Sequence, residues 1–101
     1  MRLRTSLVTA IALAALTTAA SAAKATYTCS GGTRFTAVFS GPTTSLGSVV
    51  ISIAGSPKAI KLPQVMSADG GRYAEGNTEF WIKGRGATFN RNGVSETCRT
   101  R

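Results

Sequence analysis

Glu79-Phe80-Trp81-Ile82-Lys83-Gly84-Arg85-Gly86, residues 79–86, reads as five alternating residues followed by a glycine-flanked turn. In an extended chain successive side chains point to opposite faces. Phe80 and Ile82 therefore share an inner, apolar face, and Trp81 and Lys83 share the outer one. The turn that follows lifts two cations, Lys83 and Arg85, off the sheet.

The same grammar runs through the chain on either side. Thr26-Tyr27-Thr28-Cys29 is β-branched and aromatic and stops at Ser30-Gly31-Gly32. Arg34 to Phe39 alternates, with Phe35, Ala37 and Phe39 on one face, and Ser40-Gly41-Pro42 breaks it. Val49, Ile51 and Ile53 form a second period-two face, ended by Gly55-Ser56-Pro57. Lys58 to Leu62 is a short run stopped by Pro63. Arg72 to Glu75, Glu79 to Lys83, Ala87 to Asn90 and Val94 to Cys98 follow, parted by Gly or Asn. Turn signals recur about every 8–12 residues or fewer, and no stretch holds a helical apolar period, which is the pattern of an all-β antiparallel sandwich or barrel. A barrel is expected, because closure removes the exposed strand edges that two small sheets would leave. Its inward set is Phe35, Phe39, Val49, Ile51, Ile53, Phe80, Ile82, Phe89 and Val94. Those side chains fill a small barrel without leaving a ligand cavity, so function is expected outside, at the turns.

The first 22 residues read as a secretory signal peptide. Arg2 and Arg4 precede the apolar run Leu7 to Leu16, and Ala20-Ser21-Ala22 supplies a small-residue cleavage site after Ala22. The run is too short to span a membrane, and no cysteine sits at the cleavage site to take a lipid. The expected product is residues 23–101, a single exported domain of 79 residues without a membrane anchor. A domain so small sits near the limit at which one core suffices. Its two cysteines, Cys29 and Cys98, have one intramolecular pairing available, and an oxidising compartment favours it. The bond would tie the first strand to the last, a closure that chain-entropy arguments place on the order of 4 kcal/mol.

Residues 23–101 carry ten Lys and Arg (the chain's twelve less Arg2 and Arg4) against four acids, Asp69, Glu75, Glu79 and Glu96, a net +6. The cations are scattered, which suits solubility or an anionic partner in the envelope, and export argues against nucleic acid. There is no histidine and no free cysteine, so neither a zinc site nor a Ser-His-Asp triad can be built. Glu75 and Glu79 are the one carboxylate pair a glycosidase could use, and they read instead as solvent-facing residues flanking a hairpin turn at Gly76-Asn77. No enzyme, cofactor or metal is expected.

What remains is two turns. Asp69-Gly70, within Ser67-Ala68-Asp69-Gly70-Gly71-Arg72-Tyr73, is a tight-turn dipeptide. Lys83-Gly84 is the second, with an exposed tryptophan beside its lysine, a pairing common in protein recognition.

These residues resemble the MliC/PliC group of bacterial inhibitors of C-type lysozyme. The resemblance spans residues 23–101, from Tyr27-x-Cys29 through Ala37-Val38-Phe39, Ser67 to Tyr73 and Phe80-Trp81-x-Lys83-Gly84 to Cys98. It implies an eight-stranded antiparallel barrel closed by one disulfide, acting in the periplasm on C-type lysozyme as its protein partner. Two loops would enter the enzyme's cleft. Lys83 and Gly84 would lie in one, and Ser67, Asp69, Gly70, Arg72 and Tyr73 in the other, with Trp81 beside Lys83 as a further contact. The chain departs from the motifs at two places, with Asp69 where the family carries serine and Thr78 where the second motif opens with tyrosine. The alternative expectation is a non-inhibitory envelope module that binds anionic glycan or lipid headgroups. The oligomeric state is left open, a homo-oligomer included.

Overall fold

The computed structural model describes residues 23–41 and 46–100; the expected signal peptide and Pro42 lie outside them. Eight strands run in chain order: β1 (Ala23–Cys29), β2 (Arg34–Ser40), β3 (Ser48–Ile53), β4 (Ile60–Val65), β5 (Gly71–Glu75), β6 (Thr78–Lys83), β7 (Gly86–Arg91) and β8 (Val94–Thr100). Each pairs antiparallel with its sequence neighbour, and β1 pairs with β8 to close the barrel. This is the expected all-β, eight-stranded fold. Cys29 and Cys98 face each other across the closing seam and are disulfide-bonded.

The core is aromatic. Phe80 is wholly buried and its ring meets those of Tyr27, Phe35, Phe39, Tyr73 and Phe89 at centroid distances of 5.2 to 6.3 Å. Edge-to-face geometry, interplanar angle 85°, relates Phe80 to Tyr27, Phe35 and Phe89, the arrangement ring quadrupoles prefer. Ala37, Val49, Ile51 and Leu62 complete the fill, and Phe39, Ile53 and Ile82 pack against it half-buried.

Val94, expected inward, is 66 % exposed. Its phase along β8 is right, since it pairs with Arg91 at the last rung of the β7–β8 hairpin, but that rung projects past the core. Further along the same face, Glu96 accepts hydrogen bonds from the Gly31 N–H at 3.0 Å and the Thr33 hydroxyl at 2.7 Å. A carboxylate thus secures the β1–β2 turn to β8, where alternation would place an apolar residue.

The fourth strand also differs from expectation. It starts at Ile60 and continues through Pro63 to Val65. The Gln64 N–H donates to the Gly47 carbonyl on the β3 side at 2.8 Å, so alternation turns the Pro63 nitrogen toward β5. There the β4–β5 ladder consists of Gln64↔Tyr73 and Val65↔Arg72 alone, and Pro63 lies beyond its end. The missing N–H therefore breaks no rung.

Replacing both cysteines with serine is expected to lower stability by roughly 2–5 kcal/mol, measured by urea denaturation. A loss below about 1 kcal/mol would contradict a closing role for the bond.

Candidate functional site

The turns divide between two ends of the barrel. One end gathers the loop of residues 66–70, between β4 and β5, and the turn Gly84-Arg85, between β6 and β7. The register brings them together: β5 and β6 end on the pairs Arg72↔Trp81 and Gly71↔Ile82, so the loop emerges beside the strand that leads to Lys83.

Within the loop, Ser67 folds the backbone on itself. Its hydroxyl donates to the Asp69 carbonyl at 2.6 Å and accepts the Asp69 N–H at 3.2 Å. Gly70 follows at φ 68°, a left-handed conformation that an L side chain adopts at a cost. A Cβ at this position would run into the Ile82 carbonyl oxygen, with Lys83 Cγ also in contact. The expected Asp69-Gly70 turn is therefore present, and only glycine lets it lie this close to β6.

Trp81 stands on the outer face, as alternation requires, but it is half-buried, not exposed. Its indole N–H donates to the Asp69 carbonyl at 2.8 Å. The Lys83 ammonium lies 4.3 Å from the ring centroid and the Arg72 guanidinium 5.1 Å. Arg72 is also fixed by Glu79, whose Oε2 accepts its Nε–H at 2.6 Å, while the Asn90 amide donates to Glu79 Oε1 at 3.1 Å. Glu79 is thus occupied by Arg72, whereas Glu75 remains exposed at the Gly76-Asn77 hairpin turn. Among the described residues the Asp69 carboxylate has no ion-pair partner, because Arg72 is engaged by Glu79 and Lys83 by the indole.

Lys83, Gly84 and Arg85 are exposed, with Gly84 at φ 64° turning the chain back into β7. Met66, 77 % exposed, adds apolar surface at the start of the loop. Tyr73 is different in kind. It is buried, its ring 5.6 Å from Phe39 and 6.3 Å from Phe80, and burial pushes its phenol above the ordinary value of 10.0. It supports the strand after the loop from inside the barrel. Beside Trp81 and Lys83 a shallow concavity of about 500 Å³ opens over Thr88, Asn90 and Thr97. Among the described residues no group of three His, Cys, Asp or Glu side chains could hold a metal.

Seven of the eight residues singled out in the sequence meet at this rim, and Tyr73 lies beneath it. Two contributors were missed. Glu79, which orders Arg72, looked like a solvated turn residue. The Asp69 carbonyl is a backbone acceptor, and no residue type announces it.

The family model describing a membrane-bound lysozyme-inhibitor of c-type lysozyme, MliC, matches residues 27–97, which include β2 to β7 whole, parts of β1 and β8, and both turns of the rim. The chain belongs to the MliC family. A similar solved structure is that of Pseudomonas aeruginosa MliC in complex with hen egg white lysozyme, 25 % identical, with 92 % of this chain and 98 % of that chain covered and a TM-score of 0.68. No curated protein matches the chain. The family's description includes membrane attachment; among the described residues no helix is long and apolar enough to cross a membrane.

Gly70→Ala is expected to dislodge the loop from β6, at about 1–2 kcal/mol for the left-handed backbone alone. Amide chemical shifts of residues 67–71 and 81–83 should move together. Unchanged shifts would show that the close approach is not needed.

Proposed function

We propose that this chain is a periplasmic inhibitor of C-type lysozyme that occludes the glycan cleft with Lys83, the Asp69–Gly70 loop lying alongside. Family membership and the solved relative's complex with a lysozyme support the partner. The observation that carries the mechanism is an exposed ammonium at the end of a strand whose neighbouring loop is tied to the same strand by a 2.8 Å hydrogen bond.

Glycoside hydrolysis in such an enzyme uses two carboxylates, one a proton donor and the other ionised. A lysine is a compact charge on a long stem, suited to a narrow cleft. In the free protein its ammonium rests on the indole, worth about 0.5–1 kcal/mol at an exposed site. Facing a carboxylate at 4 Å in an environment of effective dielectric 20, the same charge gains about 4 kcal/mol. The carboxylate wins, and Lys83 leaves the ring for the cleft. Inhibition then follows from exclusion, because the space and the charge that a sugar ring needs are both taken.

The expected export signal at residues 1–22 supports the periplasmic location. The alternative envelope module loses its best stacking platform, since two cations already lie on the Trp81 ring.

Lys83→Ala is expected to weaken inhibition of a C-type lysozyme at least about 100-fold while leaving the thermal midpoint in place. Unchanged inhibition would remove Lys83 from the mechanism. Asp69 places an unpaired carboxylate beside the same acidic cleft, a repulsion of up to about 4 kcal/mol at 4 Å. Asp69→Ser is therefore expected to tighten inhibition about tenfold or more. Equal or weaker inhibition would show that Asp69 is neutralised in the complex.

A further inference from the structure

Among the described residues the loop of residues 66–70 makes three hydrogen bonds. Two are internal, between Ser67 and Asp69, and the third is the indole N–H of Trp81 to the Asp69 carbonyl. Among the described residues no backbone–backbone hydrogen bond outside the strand ladders involves these five. The β4–β5 ladder that precedes the loop has two rungs, so the flank offers little restraint. The same indole carries the Lys83 ammonium on its ring at 4.3 Å. One side chain therefore touches both turns of the rim, one through its N–H and the other through its π face.

We infer that Trp81 is the positioning residue of the site: its indole locks the 66–70 loop and Lys83 into one preorganised unit, so that the two turns meet a partner together. This rests on the inhibitor reading for its functional consequence, though the locking itself is a property of the free protein. A loop ordered before binding loses less freedom on association than one ordered by it. The role is distinct from direct contact, because a Trp81 that merely touched the partner would leave the free loop indifferent to its replacement.

Trp81 is the chain's single tryptophan, so its indole N–H resonance is assigned without ambiguity. Phe80 and Ile82 face the core and Trp81 faces out, so Trp81→Phe is compatible with the fold; it keeps a ring for Lys83 and deletes the donor. Trp81→Leu deletes both. The experiment measures backbone amide order and exchange for residues 66–70 in the free proteins, alongside inhibition of hen egg white lysozyme.

In Trp81→Phe the loop amides are expected to lose order and the hydrogen-bonded Asp69 amide to exchange faster, and inhibition to weaken about tenfold, with Trp81→Leu weaker still. In the unmutated protein the indole N–H should exchange more slowly than that of free indole. An unprotected indole N–H, or a loop as ordered in Trp81→Phe as in wild type, overturns the inference, whatever happens to inhibition. Weaker inhibition with an unchanged loop would assign Trp81 to direct contact instead. If the wild-type protein inhibits no C-type lysozyme, the inhibitor reading falls, while the loop measurements still decide whether Trp81 is the lock.

Discussion

Phe80 in its socket of five rings sets the position of everything on the rim. Alternation along β6 makes the inner and outer faces inseparable: with Phe80 and Ile82 inside, Glu79, Trp81 and Lys83 must be outside. A slip of one residue would bury Trp81 and Lys83 and expose the aromatic. Removing a buried Phe typically costs about 3–5 kcal/mol, a large share of the 5–15 kcal/mol that holds a domain together. The register of the functional strand is therefore fixed by the core, and the lysine inherits that rigidity.

Charge on the outer face is sorted, not scattered. Glu79 takes Arg72 and Asn90, which leaves Arg72 positioned over the indole, and among the described residues no acid forms an ion pair with Lys83. Lys83 rests on a π face instead of a carboxylate. That difference matters for the proposed mechanism, since an ammonium held by an intramolecular ion pair would surrender that pair on entering a cleft, whereas a weak cation–π contact is given up cheaply. Asp69, exposed, stands as the rim's one unpaired carboxylate among the described residues and bears on which clefts it can enter.

Much of this was legible in the sequence because it is written in local terms. Period-two alternation located the strands and the inner face, and glycine placement located the turns. The expected export signal together with two cysteines pointed to the seam. What misled or escaped was non-local. Val94 keeps the inward phase, but its exposure depends on where the hairpin outruns the barrel. Pro63 reads as a stop, yet the strand passes through it because the adjacent ladder has already ended. Glu96 occupies an inward-phase position where the β1–β2 turn supplies its partners. The Trp81–Asp69 bond joins a side chain to a carbonyl twelve positions away, and only the β5–β6 register brings them together.

In the proposed mechanism this scaffold presents Lys83 to the acidic pair of a lysozyme. A crystal structure of the chain bound to a C-type lysozyme tests it most directly. The Lys83 ammonium is expected in the cleft within about 2.7–2.9 Å of a catalytic carboxylate oxygen, off the indole ring. A complex in which Lys83 still lies on Trp81, with the cleft filled by another part of the chain or left open, would contradict it.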